Sequence, residues 1–369
     1  YLPEPDYERP LRGLSPDVAA RVRRRAALLY GEARADELTR QVDRVVRVHD
    51  AHATPAIRAA EDAFDPRERF SERDAVLITY GDLVVSEGRT PLRTLSDFAY
   101  VFFRGLVSTI HVLPFFPSSS DRGFSVISYE EVDPRLGSWE EIARLRRGFR
   151  LMFDGVFNHV SAKSRRFQKF LAGDPEYGRS FRVFSSREEI DDDLLKLVLR
   201  PRTSDLLSEF ATVDGPRWLW TTFSRDQVDL NFREPKTLLE VLEILLYYVR
   251  RGADLVRLDA VTYLWHELGT SCAHLVQTHE LVRLARDVLD AAAPHVALVT
   301  ETNVPHADNV TYFGDGTDEA QVIYNFALPP LVLHAFVAGS AETLSAWAAE
   351  LSPPSETTAF FNFLDSHDG

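Results

Sequence analysis

Four places in this 369-residue sequence put acidic, basic and imidazole side chains where a short apolar run ends. Asp154 closes the run Arg150–Val156 and leads into Asn158 and His159 in Asp-Gly-Val-Phe-Asn-His. Arg257 and Asp259 lie at the end of Asp254–Val261 in Val-Arg-Leu-Asp-Ala, and Glu301 ends Leu-Val-Thr-Glu-Thr. His367 and Asp368 follow the run Thr358–Leu364. Such groups can serve as nucleophile, general acid and general base. Arg257 and Asp259 are two apart on an extended segment and so share a face. A fixed guanidinium there favours the ionised carboxylate, the state a nucleophile requires. Singly, each group reads as a salt bridge, a cap or a packed histidine. Together they bring four carboxylates and two histidines to four run ends.

The elements that must position them follow from the pattern. Seven short apolar runs, at Val76–Tyr80, Val107–Pro114, Arg150–Val156, Asp254–Val261, Val296–Thr302, Gln321–Phe326 and Thr358–Leu364, alternate with helical stretches. Those stretches are Thr94–Arg104, Trp139–Arg147, Thr237–Arg251, Glu280–Ala293 and Glu342–Leu351. Near-continuously apolar strands, each followed by a helix, predict parallel βαβ units buried on both faces. Seven of them predict an α/β fold, a (β/α)8 TIM barrel whose active site lies at the C-terminal strand ends. The chain stops just after the seventh strand.

Residues 75–159 and 233–369 are assigned to this barrel, incomplete at its C-terminus. About 80 residues, rich in Arg, Asp, Ser and Phe, separate the third strand from the next helix; structureless loops of that length are rare, so residues 160–232 are assigned to an inserted domain. Residues 1–74 carry Val, Ala and Leu at helical spacing from Val18 to about His52, opened by Ser15-Pro16, and are assigned to an N-terminal helical extension.

Composition narrows the class. Hydrophobic residues at 45% and charged residues at 27% indicate a globular chain. A net charge of −14 opposes phosphate-gripping nucleic-acid binding. Lys occurs only at Lys163, Lys169, Lys196 and Lys236, so the basic residues are nearly all Arg. No apolar run approaches the roughly 18–20 residues of a membrane helix. The single cysteine, Cys272, allows no disulfide framework and fits a cytoplasmic protein. The start at Tyr1 leaves an upstream segment open.

The four segments resemble, in order, the signature regions of the alpha-amylase superfamily, glycoside hydrolase family thirteen. Asp-Gln-Val-Asp-Leu-Asn at 226–231 resembles the segment near the end of that family's inserted B domain. The resemblance implies Asp259 as nucleophile, Glu301 as general acid/base and Asp368 as transition-state stabiliser. It implies sugar contacts from Arg257, His159 and His367, with Asp154 and Asn158 supporting the site. Pro-Ser-Ser-Ser-Asp-Arg-Gly-Phe at 117–124 is similar to the sucrose phosphorylase subfamily, which makes Asp121 and Phe124 contacts at the floor of a glucose pocket. The helical segment before Val76 and Arg200-Pro-Arg-Thr-Ser are more similar to its glucosylglycerate phosphorylase branch, with Arg200 and Arg202 as candidates to meet glycerate or phosphate.

The function this resemblance implies is phosphorolysis of a small α-glucoside to α-glucose 1-phosphate with retention. Inorganic phosphate is the co-substrate and no other cofactor or metal is expected; calcium, bound by many alpha-amylases near the third-strand Asn, is not expected in this branch. No nucleic-acid or membrane partner is expected, and a homo-oligomer stays open. A retaining α-glucosidase or transglucosidase with the same triad remains the alternative. A catalytically dead carbohydrate-binding protein would need a missing triad member. A metal-dependent barrel hydrolase would need a compact ligand spacing that is absent here.

Overall fold

The computed structural model describes residues 1–367. The chain opens with α1 (Pro16–Tyr30), α2 (Glu32–His52) and α3 (Pro55–Asp62). Ser15 and Thr54 cap α1 and α3 by accepting from Val18 N and Ile57 N, each followed by a proline at the first helical position. The helical spacing across 18–52 is interrupted at Gly31, whose φ of 85° ends α1. Val22, Ala26, Leu38, Val42 and Val46 form the apolar stripes with which α1 and α2 join the main core.

Among the described residues seven parallel strands form one sheet in sequence order. They are β1 (Val76–Thr79), β2 (Thr109–Val112), β3 (Arg150–Gly155), β4 (Leu255–Leu258), β5 (Ala297–Thr300), β6 (Val322–Tyr324) and β7 (Ala359–Phe361). The helices α4 (Pro91–Phe102), α5 (Trp139–Arg146), α6 (Pro235–Arg250), α7 (Val276–Ala292), α8 (Leu328–Ala338) and α9 (Glu342–Glu350) return the chain between strands. The result is a (β/α) barrel whose sheet edges are β1 and β7. Side-chain alternation divides its core in two. Met152, Leu255, Ala297, Val299, Val322 and Tyr324 pack with one another. Leu151, Phe153, Val256, Leu298 and Ile323 join the larger cluster that includes the helices.

Register matters for the site. Asp154 on β3 pairs with Arg257 on β4, and Arg257 pairs in turn with Val299 on β5. The long connection after β3 is folded: strands His159–Ser161 and Gln227–Asp229 pair antiparallel at its base. Between them lie helix Arg165–Leu171 and a three-stranded antiparallel sheet. Phe167, Phe170, Phe181 and Phe210 make edge-to-face contacts there and extend the main core into this stretch.

Helix α8 does not show in the sequence pattern. Leu-Pro-Pro-Leu-Val-Leu-His-Ala-Phe-Val-Ala is apolar on every side, so it carries no 3.6-residue stripe, and none of its residues is buried. No helix among the described residues is long and apolar enough to cross a membrane.

Candidate active site

A cavity of about 350 Å³ lies at the C-terminal ends of β4 and β5, with walls from the β2 and β3 connections and from the insertion. Asp121, Phe124, His159, Arg257, Asp259, Glu301 and His367 all line it. Asp368 lies outside the described residues.

Arg257, 1% exposed, is its electrostatic centre. Nη1 donates to Asp259 Oδ1 at 3.2 Å and also to Asp154, while Nη2 lies 3.1 Å from Glu301 Oε2. The guanidinium sits 5.5 Å from the Phe124 ring centroid, within cation–π range. Asp154, fully buried beneath the cavity, also bonds His111 Nε2 at 2.8 Å. Burial raises its carboxyl, but His111 and Arg257 outweigh that and hold it below the ordinary carboxylate range.

Asp259 departs from the sequence expectation. The adjacent guanidinium was expected to favour its ionised form, yet burial, with the charges of Glu301, Asp154 and Asp121, pushes its carboxyl well above the ordinary range. Arg257 pulls the other way but does not prevail, because one buried cation is divided among three carboxylates.

The insertion and the β2 connection build the opposite wall. His159 Nε2 donates to the Phe124 carbonyl at 2.8 Å, which leaves Nδ1 to accept from Asn158 Nδ2 at 3.3 Å. Burial lowers the His159 pKa and keeps the ring neutral. Asn158 Nδ2 also donates to Asp229 Oδ2 at 3.0 Å, and Thr222 and His266 bond the same carboxylate. Asn158 thereby ties the β3 end to the base of the insertion. Phe124 stacks on the His367 ring, centroids 5.4 Å apart at 15°. Asp121 Oδ2 accepts from Gln227 Nε2 at 2.9 Å.

Of the two arginines singled out after Leu199, Arg202 lines the cavity with its guanidinium 6.0 Å from the Phe223 ring. Arg200 instead donates to the Thr222 carbonyl at 3.2 Å. Sequence reasoning did not single out His111, Gln227, Phe223 or Tyr263. His111 interrupts an apolar strand just as Asp154 does, so the same signal could have found it. Phe223, in a loop, and Tyr263, in the single 3-10 turn Val261–Tyr263, have rings 5.7 Å apart and carry no periodic signal.

Comparison with known proteins gives the same family. The alpha amylase catalytic-domain model matches residues 102–368. The chain is 55% identical over 300 residues to glucosylglycerate phosphorylase of Allomeiothermus silvanus, covering 81% of this chain and 53% of that protein. It is 47% identical over 304 residues to glucosylglycerate phosphorylase of Escherichia coli, covering 82% and 54%. The crystal structure of sucrose 6F-phosphate phosphorylase from Thermoanaerobacter thermosaccharolyticum superimposes with a TM-score of 0.70 at 30% identity, over 81% of this chain and 60% of that one. The chain thus spans about half the length of the curated relatives it matches. With strand-end acids gathered on one arginine in a (β/α) barrel, and with that match over most of its length, the chain belongs to the alpha-amylase family.

Proposed function

We propose that this chain carries the donor site of a retaining α-glucoside phosphorylase acting on glucosylglycerate. One observation supports the reading above the others: Asp259 and Glu301, at the ends of neighbouring strands, both face one buried guanidinium in a small cavity. The named phosphorylases among its relatives support phosphate over water as acceptor.

In this scheme an Asp259 carboxylate oxygen attacks the anomeric carbon while Glu301 gives its proton to the departing glycosidic oxygen. The C–O bond to glycerate breaks and a β-glucosyl ester on Asp259 forms. A phosphate oxygen then attacks the same carbon, its proton passes to Glu301, and the Asp259 carboxylate is released. Two inversions give α-glucose 1-phosphate. Arg257, Asp154, Asp259 and Glu301 sum to a net negative cluster, which suits the positive charge that develops on the ring in an oxocarbenium-like transition state. Asp121 and His367 would bond sugar hydroxyls, Phe124 would face the ring, and Asp368 would strengthen its bonds as the ring flattens. Arg202 is the candidate for the acceptor anion. The scheme uses inorganic phosphate as co-substrate and no metal or other cofactor. It requires neither nucleic acid nor membrane, and fits a cytoplasmic enzyme.

The test is incubation of the full-length protein with glucosylglycerate with and without phosphate, following products by NMR. Phosphate-dependent α-glucose 1-phosphate is expected. Glucose release at an equal rate without phosphate would make the protein a hydrolase, and a β-phosphate product would exclude double displacement.

A further inference from the structure

Asp226, one residue before the cavity-lining Gln227, receives three hydroxyls on one oxygen. Ser119 Oγ and Ser120 Oγ each lie 2.5 Å from Asp226 Oδ2, and Ser125 Oγ lies 3.0 Å away. Ser125 Oγ also meets the Asp226 carbonyl at 2.8 Å. These serines bracket a turn of unusual backbone: φ is 53° at Asp121, 48° at Arg122 and 115° at Gly123. Left-handed backbone at two successive residues with side chains is strained, and it persists only where the surroundings over-determine it. Gly123 cannot be replaced there, because a Cβ would stand 2.6 Å from the Pro114 carbonyl oxygen. The strained residue Asp121 is the one that lines the cavity. Burial would raise the Asp226 carboxyl, but the serine hydrogen bonds outweigh it and keep the group ionised, the form that accepts three bonds best.

We propose that Asp226 is a positioning residue: its carboxylate, carried by the turn just before the last strand of the insertion, clamps the left-handed Asp121–Gly123 turn and so sets where Asp121 stands in the glucosyl pocket. The inference rests on the sugar-site reading above. It does not require that phosphate be the acceptor. It also gives the insertion a role in donor binding, since the clamp joins segments more than 100 residues apart.

The test is the dissociation constant of the full-length protein for D-glucose, measured by calorimetry beside the thermal midpoint. Asp226→Asn keeps the volume but offers weaker acceptors, and should weaken glucose about tenfold. Ser120→Ala, an exposed position that removes one hydroxyl, should weaken it roughly two- to threefold and provides a variant that folds if the first does not. Adding Arg122→Gly to Asp226→Asn should recover much of the lost affinity, because glycine adopts the left-handed turn without strain. A role in stability alone would lower the thermal midpoint and leave glucose affinity unchanged, or show no recovery with glycine; either result overturns the proposal. If the wild type binds no glucose, the sugar-site reading and the clamp fall together. If glucose binding depends on Asp226 but no glucose 1-phosphate forms, the clamp stands and the phosphorylase reading fails.

Discussion

Asp259 and Glu301 rest on opposite terminal nitrogens of the same guanidinium, Arg257 Nη1 at 3.2 Å from Asp259 and Nη2 at 3.1 Å from Glu301. Removing this cation should change the pH at which the enzyme works. Burial and neighbouring carboxylates already push Asp259 up, and Arg257 is what opposes them. In Arg257→Gln the Asp259 pKa rises further, and a nucleophile must be ionised. The acid limb of the rate profile on α-glucosyl fluoride should therefore move to higher pH, by roughly one to three units. An unmoved limb would show that Asp259 does not titrate in the rate-controlling step.

The two carboxylates should separate by substrate. Asp259→Asn leaves no nucleophile, and turnover should vanish on glucosides and on α-glucosyl fluoride alike. Glu301→Gln should lose about 10²–10⁴-fold on glucosides but far less on the fluoride, whose departure needs little protonation. Equal losses of both variants on the fluoride would reverse or void the assignment. A crystal structure of the full-length protein should find the two carboxyl groups about 5–5.5 Å apart; about 9 Å would indicate inversion.

Docking of the N-terminal helices depends on one arginine more than on its neighbour. Arg25, 3% exposed, bonds Asp287 at 2.7 Å and Glu280 at 3.1 Å on α7. Arg21 reaches the same Asp287 at 2.6 Å from a side chain 36% exposed. Arg25→Met removes the buried cation and leaves Asp287 to Arg21 and Glu280 to Arg283, and should cost about 1.5–3 kcal/mol, whereas Arg21→Met should cost under about 1 kcal/mol. Urea unfolding of the two variants provides the comparison, and equal costs would mean that water reaches the Arg25 pairs.

Acid should loosen the same layer through His49. Burial, aided by the Arg250 charge, lowers its pKa to about 3. The unfolded chain takes up this proton near pH 6.5, so between those values the unfolded state binds more protons and stability falls as pH falls. From pH 7 to pH 5 the His49 contribution should fall by about 2 kcal/mol, a difference read between the wild-type and His49→Gln curves. Glu61 has the opposite sign: burial pushes it up to about 7, so its contribution is present at low pH and lost as pH rises through 7. The Glu61 contribution should fall between about pH 4.5 and 7, a difference read between the wild-type and Glu61→Gln curves. Parallel wild-type and variant curves in either range would contradict the corresponding assignment.

Much of the barrel was legible because its signals are local. The run Val296–Thr302 contains β5 at Ala297–Thr300, and the stretch Trp139–Arg147 contains α5 at Trp139–Arg146. A short apolar run between turns or a 3.6-residue stripe is written into adjacent residues. Helix α8 was not legible, since an all-apolar segment opening Leu-Pro-Pro has no stripe and its prolines read as loop. The break at Gly31 was missed because the apolar spacing continues across it.

The sequence by itself determined which residue types stand at the strand ends. It determined too that Arg257 and Asp259 share a face, because the period of a strand is two. Only the tertiary structure decided what those groups do to one another. That Asp154, Asp259 and Glu301 divide one guanidinium depends on the pairing of β3, β4 and β5. The upward push on Asp259 depends on burial and on how many charges converge, and neither is a property of adjacent residues. The meeting of Asp226 with Ser119, Ser120 and Ser125 likewise exists only once the insertion folds back over the β2 connection, since hydrogen bonds between distant segments leave no periodic trace in the chain.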